Sequence, residues 1–207
     1  MSDLKLIGYG HSVYSRSVRI ALEELALPYL WEEADPFDEG VKFHPFNRVP
    51  VLFDGNIRIY ECWAILEYLY RVCDRYPERN PLANARAAQL AGIASAYAYW
   101  PLVRCVYSHG VFRPALNLDW DQSKIDTGLA EASVVLKALE EIAADGVVLA
   151  AGCAPEDCIL FPMIDAFGRY PAAAEMLAGY PNLNSWWGRT KRQKTIAATY
   201  LPLTPES

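Results

Sequence analysis

The sequence predicts an α/β domain at the N-terminus followed by a domain made only of helices. Apolar and polar residues alternate along the strand-like stretch DLKLIGY, and helical spacing begins soon afterwards. Further on, Asp54-Gly55 separates two β-rich runs, which is a hairpin signal. The second half is rich in Ala, Leu, Glu and Tyr at helical spacing, which is typical of a helical bundle.

The boundary between the domains is predicted from a polar segment, RYPERNPLANARAAQL. Pro77 and Pro81 interrupt regular structure there, and a long Ala-rich helical pattern follows. We therefore assign residues 1–79 to the first domain, 80–86 to a linker and 87–207 to the second domain.

The elements of the first domain follow in order from local patterns. DLKLIGY predicts a strand, SVRIALEEL has the apolar spacing of an amphipathic helix, and YLWEE predicts a second strand. After a loop, VPVLFDGNIRIYE predicts a hairpin, and CWAILEYLYRVC returns to helical spacing. The resulting order, β-α-β followed by β-β-α, matches a thioredoxin-like fold. In the second domain only GVVLA, residues 146–150, has the character of a strand.

Composition excludes several classes of function. A net charge of −6 argues against a nucleic acid as the main partner, because phosphate binding needs a basic surface, and the run RTKRQK is expected to be a solvated helix end. No apolar segment approaches the roughly 18 residues of a membrane-spanning helix. The sequence also has no export signal, so we expect a soluble, cytoplasmic protein that does not bind a membrane. Five cysteines without a CxxC pair favour free thiols, and three scattered histidines predict no metal site.

The turn from the first strand into the first helix, GYGHSVYSRSVRIAL, carries hydroxyl groups at the point where the helix begins. A dinucleotide-binding loop would need a third glycine at position 13, which is Val13. Either Ser12 or Ser15 could cap the helix. A hydroxyl at a helix N-terminus can also stabilise an anion, by donating a hydrogen bond and by holding the anion at the positive end of the helix dipole.

Four stretches together resemble the cytosolic glutathione transferase superfamily. SVYSRSVRIALEEL is similar to its first-helix pattern, NRVPVLFDG to its V-P-x-L-x-D/N-G strand, YECWAILEYL to its E-S-x-A-I helix and YPNLNSWWGRTKRQ to its terminal Y-P-x-L-x-x-W helix. The likeness extends from about residue 4 to residue 195, in compatible order. One departure is Val13, where the family often has proline.

The resemblance implies a role for Ser12 as the residue that stabilises the glutathione thiolate, with Tyr9 as the runner-up. The thiol of free cysteine has a pKa of about 8.5, and only its thiolate is a good nucleophile. A site that lowers this pKa therefore activates glutathione. Ser15 keeps the capping role in this interpretation.

The resemblance also implies which residues bind glutathione. The Val49-Pro50 bond is expected to be cis, with the backbone of Val49 facing the cysteinyl part of glutathione. Glu61 is expected to receive the γ-glutamyl ammonium group. Cys62 stands where the family usually has a serine that binds the γ-glutamyl carboxylate. A thiol is a weak hydrogen-bond donor, so we expect Cys62 to contribute its backbone, to pack in the core and to leave glutathione binding weaker.

A second site must hold the electrophile, and the aromatic-rich stretch YAYWPLVRCVYSHGVF is the candidate. We select Tyr97, Trp100, Tyr107 and His109 as residues of a hydrophobic substrate site, with Tyr107 and His109 able to polarise a substrate. In CAPEDCILFPMIDAF the family helix normally begins S/T-x-x-D. Ala154 replaces the hydroxyl residue here, so half of a capping box is lost.

The function implied is that of a glutathione transferase, a detoxification enzyme that joins glutathione, its co-substrate, to a small hydrophobic electrophile. Alternatives are a glutathione-dependent ether lyase or dehalogenase, and a non-catalytic module that binds proteins. A disulfide or dehydroascorbate reductase would prefer cysteine at the position of Ser12. The resemblance and the many aromatic residues near the boundary also predict a homodimer.

Overall fold

The first domain contains one mixed four-stranded sheet. The computed structural model describes residues 3–37, 43–150 and 152–203 of the chain. In the sheet, β2 pairs parallel with β1, and β3 pairs antiparallel with both β1 and β4, which gives the order β2-β1-β3-β4. The strands are β1 (Leu4–Gly8), β2 (Tyr29–Glu33), β3 (Val51–Asp54) and β4 (Ile57–Tyr60). The predicted thioredoxin-like element order is confirmed, and Gly55 and Asn56 form the turn of the predicted hairpin.

Two helices of this domain pack against each other, α1 (Val13–Glu24) and α2 (Cys62–Val72). Val18, Ala21 and Leu22 of α1 are fully buried, as the helical spacing predicts. α2 buries Ile65, Leu66 and Leu69 in the same core.

The regular secondary structure among the described residues of the second domain is all helical. Its helices are α3 (Pro81–Ile93), a π-helical segment (Ala94–Phe112) that continues α3, α4 (Arg113–Ala115), α5 (Gln122–Asp145), α6 (Pro155–Phe167), α7 (Pro171–Ala178), α8 (Pro181–Thr190) and α9 (Lys194–Ala198). None of the described helices is long and apolar enough to cross a lipid bilayer.

The predicted domain boundary falls at the start of α3. Residues 81–86 are helical, because Pro81 occupies the first turn of α3 and the side chain of Asn80 caps that helix by accepting from the Ala83 N–H at 2.9 Å. The strand predicted at 146–150 is wrong, since residues 147–150 form bends. An apolar run needs a neighbouring strand to pair with, and here Val148 and Leu149 are instead buried against helices.

α6 joins the two domains. All of its residues are buried, and it packs against α1, α2 and the π-helical segment. Arg16 of α1 donates to Asp165 of α6 at 2.7 Å, and both side chains are about nine-tenths buried. The position of α1, and of the loop that precedes it, is therefore fixed by both domains.

Candidate functional site

One edge of the sheet brings the predicted glutathione-binding residues together. Ile7 pairs with Val51, and Val51 pairs with Tyr60. The next residues in register, Gly8, Pro50 and Glu61, therefore lie side by side where the strands end. The Val49-Pro50 bond is cis, as expected.

Ser12 is the N-cap residue of α1. Its backbone is extended (φ −73°, ψ 126°), its N–H donates to the Tyr9 carbonyl at 2.9 Å, and its Oγ accepts from the Ser15 N–H at 3.3 Å. α1 has no acidic residue in its first turn. The half-buried hydroxyl of Ser12 can therefore still donate its proton to a ligand. It lies at the positive end of the helix dipole, and no carboxylate in the first turn neutralises that end.

Ser15 does not cap the helix, contrary to the expectation. Its hydroxyl is fully buried and accepts from the Tyr9 N–H at 3.2 Å, which ties the end of β1 to the first turn of α1. Gly8 permits this approach, because a Cβ there would lie 2.8 Å from Ser15 Oγ and 2.6 Å from the Trp31 ring. Capping falls to Ser12 because Ser15 already lies within the helix.

A pocket opens at Ser12 between the two domains, with an empty volume of about 350 Å³. The first domain supplies the loop and first turn of α1, and the second domain supplies the π-helical segment, α6 and the chain after α9. The lining residues are Gly10, His11, Ser12, Val13, Arg16, Tyr107, Pro162, Ala166, Arg169, Thr199 and Leu201. Tyr9 is not one of them, which favours Ser12 over the runner-up.

Two arginines line this pocket, Arg16 from the first domain and Arg169 from the second, and both approach the same buried carboxylate. Asp165 Oδ2 lies 2.7 Å from Arg16 Nη1 and 3.6 Å from Arg169 Nη2, and Asp165 Oδ1 lies 3.8 Å from Lys191 Nζ. Tyr200 covers this group, with its ring centroid 4.9 Å from Arg169 Cζ and 6.0 Å from Arg16 Cζ.

Glu61 has an unusual backbone conformation for a residue other than glycine, with φ 68° and ψ 117°. Such strain persists only where the surroundings enforce it, and it is often found at functional sites. The Glu61 side chain is 66% exposed, and Oε1 lies 3.8 Å from Nε2 of the buried His44. Burial lowers the pKa of His44, which leaves the ring mostly neutral at pH 7, so the Glu61 carboxylate has charge available for a ligand cation.

Cys62 begins α2 with its sulfur turned into the core. Sγ donates to the Tyr14 carbonyl at 3.7 Å, and burial raises the pKa of the thiol to about 12. The residue is 7% exposed, so its side chain packs in the core, as expected from the sequence. Its backbone N–H lies in the first turn of α2, where helical N–H groups lack intrahelical partners.

The four aromatic candidates separate into two groups. Tyr107 is 7% exposed and lines the pocket beside Ser12. Tyr97 and Trp100 are 67% and 56% exposed and do not line it, because they lie on the outward side of the π-helical segment. His109 is also outside the lining, since its Nδ1 accepts from the Asp121 N–H at 3.0 Å at the start of α5.

Most residues of the pocket lining were not selected from the sequence, and His11, Arg169 and Leu201 are three of them. His11 packs edge to face on Phe112 at 5.5 Å between ring centroids, and Arg169 and Leu201 reach the pocket from the second domain. His11 follows from its position next to Ser12, whereas Arg169 and Leu201 depend on contacts across nearly the whole chain. Among the described residues, no three His, Cys, Asp or Glu side chains are grouped to hold a metal ion.

Comparison with known proteins gives a consistent result. A family model described as "Glutathione S-transferase, N-terminal domain" matches residues 6–79. A probable glutathione S-transferase GSTF1 of Oryza sativa is 22% identical and covers 100% of this chain and 99% of its own length. Glutathione S-transferase 3 of Zea mays is 26% identical with the same coverage. Glutathione S-transferase Z1 of Arabidopsis thaliana is 37% identical over 36% of this chain and 35% of its own.

Solved structures share the fold along the whole chain. Glutathione S-transferase III in its apo form superposes with a TM-score of 0.83 at 20% identity, covering 100% of both chains. Glutathione S-transferase I bound with lactoylglutathione gives a TM-score of 0.80 at 22% identity, covering 96% of this chain and 98% of that one. A Pseudomonas putida glutathione transferase with one glutathione disulfide per subunit gives 0.75 at 19% identity, with 96% and 90% covered.

Proposed function

Since this chain belongs to the cytosolic glutathione transferase superfamily, we propose that it is a glutathione transferase that joins the glutathione sulfur to a small electrophile. The observation that carries the proposal is Ser12, a helix N-cap hydroxyl that opens onto the interdomain pocket. Glutathione loses its thiol proton, the thiolate attacks an electrophilic carbon, and a C–S bond forms as a leaving group departs or a double bond is saturated.

Thiolate stabilisation is assigned to Ser12. Its hydroxyl donates to the sulfur, and the uncompensated N-terminus of α1 favours the negative charge. Holding the thiolate and the electrophile in one pocket adds the advantage of proximity.

Glutathione lies along the sheet edge in this proposal. The backbone of Val49 binds its cysteinyl part, and the Glu61 carboxylate binds the γ-glutamyl ammonium group. The N–H of Cys62, at the start of α2, binds the γ-glutamyl carboxylate. Arg48 and Arg58 act on the pKa of His44 at this edge, so their positive charge also suits the carboxylates of glutathione.

Ser12→Ala tests the assignment. We expect conjugation of a general electrophile such as 1-chloro-2,4-dinitrobenzene to fall by about 10-fold or more, because a hydrogen bond to a developing anion is lost. The pKa of bound glutathione, followed by the ultraviolet absorbance of the thiolate, should rise toward that of the free thiol. The matched variant Tyr9→Phe should keep most activity, and a larger loss in Tyr9→Phe would transfer the role to Tyr9.

Calorimetry with glutathione separates the enzyme from its alternatives. Glutathione binding without a lowered thiol pKa contradicts a transferase, and failure to bind glutathione at all favours a protein-binding module.

We also propose a homodimer. Phe46, Leu82, Tyr97 and Trp100 are large apolar side chains that are each more than half exposed, and such surface is commonly covered in an assembly. Sedimentation or light scattering at micromolar concentration should give about twice the chain mass of 23.2 kDa. A particle of the single-chain mass would contradict the proposal. Tyr97→Ser combined with Trp100→Ser should weaken the dimer without emptying the core.

A further inference from the structure

We propose that the electrophile taken by this pocket carries a carboxylate, and that Arg169 binds this carboxylate beside Ser12, with the Tyr107 hydroxyl as a second donor. The inference rests on the proposed function, because it assigns the second substrate of the same site. It departs from the hydrophobic electrophile that the resemblance implies.

The first argument is the balance of charge in the wall of the pocket. Arg16 and Arg169 both line it, and Asp165 is the carboxylate that both approach. Lys191 adds a third positive charge near the same carboxylate, at 3.8 Å. Among the described residues, the other carboxylate that acts on this region is Glu33, which accepts from the Gly10 N–H at 2.7 Å and from Trp31 Nε1 at 2.9 Å. Within the described part of the chain, the lining of the pocket therefore contains two arginines and no carboxylate, and Lys191 lies behind it.

The two arginines differ in what they have left to donate. Arg16 donates to Asp165 at 2.7 Å and makes longer contacts of 3.5 Å with Thr199 Oγ1 and the Ile196 carbonyl. The Arg169 side chain has the 3.6 Å ion pair with Asp165, and its guanidinium makes no hydrogen bond to any described residue. Its side chain is 23% exposed, so a guanidinium with free N–H donors opens onto the pocket.

Packing holds Arg169 in this position. Its guanidinium lies near two aromatic rings, 4.9 Å from the centroid of Tyr200 and 5.8 Å from that of Tyr107. The neighbouring Tyr170 packs closely against Gly110 of the π-helical segment, where a Cβ would lie 2.7 Å from the Tyr170 ring. A fork of donors fixed in this way suits a planar carboxylate.

Tyr107 and His11 complete the environment. The Tyr107 hydroxyl makes no hydrogen bond with the described residues, although the residue is 7% exposed. Burial raises its pKa while Arg169 and Arg16 oppose the rise, so Tyr107 stays protonated and can donate. Burial lowers the pKa of His11, Glu33 opposes this and Arg169 adds to it. His11 is therefore mostly neutral at pH 7, which leaves Arg169 as the cation that a ligand meets.

The charge of the lining restricts the ligand. A wholly apolar electrophile would cover the Arg169 guanidinium without giving it a partner, and burying an unpaired charge is unfavourable.

The test compares an acid with its ester. 4-Chloro-3-nitrobenzoate and methyl 4-chloro-3-nitrobenzoate react with glutathione by the same displacement of chloride. For each compound kcat/KM is divided by the uncatalysed rate constant, which removes the difference in intrinsic reactivity. We expect the wild-type enzyme to favour the acid by about 10-fold or more, as a hydrogen bond between charged groups implies. Arg169→Gln should lose this preference while turning over the ester, and Arg169→Lys should retain part of it.

Lys191→Gln is the matched control, because it removes a positive charge near the same Asp165 but outside the pocket lining, and it should keep the preference. Turnover of the ester with no preference for the acid in the wild-type enzyme overturns the inference and leaves the proposed function intact. If neither compound is turned over, the proposed function fails, and calorimetry with 3-nitrobenzoate then decides the inference. Binding that Arg169→Gln weakens about 10-fold supports the carboxylate site, and equal or undetectable binding in both proteins overturns it.

Discussion

The N-termini of α1 and α6 are similar in backbone and opposite in chemistry. Both N-cap residues are extended, with φ −73° and ψ 126° at Ser12 and φ −70° and ψ 165° at Ala154. α1 offers a hydroxyl and no acidic residue in its first turn, and it opens onto a pocket. α6 has no capping hydroxyl, and its first turn carries Glu156 and Asp157, both buried.

This difference shows how the same helix end can be used for binding or for stability. At α6 the protein supplies its own anions: Asp157 Oδ2 accepts from the Ala154 N–H at 2.9 Å and Oδ1 accepts from Trp186 Nε1 at 2.6 Å, while Glu156 pairs with Arg79. At α1 no side chain of the first turn supplies an anion, so an external one can bind there. A helix N-terminus can bind an external anion where the chain places no carboxylate of its own in the first turn.

Making α1 resemble α6 should produce the largest effect. Ser12→Asp adds a carboxylate to the α1 N-terminus, and aspartate caps helices about as well as serine. We expect glutathione conjugation to fall by about 100-fold or more, because the carboxylate repels the thiolate and occupies the helix end, while the midpoint of thermal unfolding barely changes. Gln122→Glu, which adds a charge at the exposed start of α5, should leave the rate unchanged. A Ser12→Asp enzyme with normal activity would refute the proposed role of the α1 N-terminus.

The acidic turn of α6 should be visible in the pH dependence of stability. Burial, and secondly Glu156, raise the pKa of Asp157 from its ordinary 3.8 to about 7. The folded protein therefore holds this proton more tightly than the unfolded chain, so the stabilisation is complete below about pH 4 and is lost as the pH rises through about 7. Chemical denaturation should show the wild-type advantage over Asp157→Asn shrinking by on the order of 2 kcal/mol between these pH values.

Asp126→Asn, an exposed change in α5, serves as the control for this titration and should show no such trend. An advantage for the wild-type protein that grows with pH would contradict the direction of the Asp157 shift.

Making α6 resemble α1 should produce the smallest effect. Ala154→Ser supplies the missing hydroxyl at a residue that already has the extended conformation of an N-cap, and we expect a gain of about 1 kcal/mol in the free energy of unfolding. Ala178→Ser, at an exposed position in α7, should give no gain. Equal stability of Ala154→Ser and the wild-type protein would show that Asp157 alone satisfies this helix end.

The first domain could be predicted from sequence because its signals are local. Alternation predicts β1, and the Asp54-Gly55 pair predicts the hairpin between β3 and β4. These patterns involve only residues that are close in the sequence, so they can be recognised without knowing which distant residues are in contact. The strand predicted at 146–150 was wrong because a strand also needs a partner strand, and a β-rich composition does not show whether one is present.

The candidate site divides in the same way. Ser12, Val49, Pro50 and Glu61 were selected because short motifs around them resemble those of the glutathione transferase superfamily. The electrophile side does not, because Arg169 and Leu201 reach Ser12 only through the packing of α6 and the chain after α9 against the first domain. The burial of the Cys62 side chain was expected from the sequence, whereas its contact with the Tyr14 carbonyl depends on how α1 and α2 pack together.

The packing of α6 across the domain boundary also has a consequence for how the molecule comes apart. One continuous hydrophobic cluster includes Leu6, Val18 and Leu66 of the first domain together with Ile159 and Phe161 of α6. Neither half can lose its structure without exposing apolar surface of the other, so melting should be a single cooperative transition whose calorimetric and van't Hoff enthalpies agree for each chain. A fragment ending at residue 79 would lack the surface that covers α1 and α2, so we do not expect the first domain to fold independently.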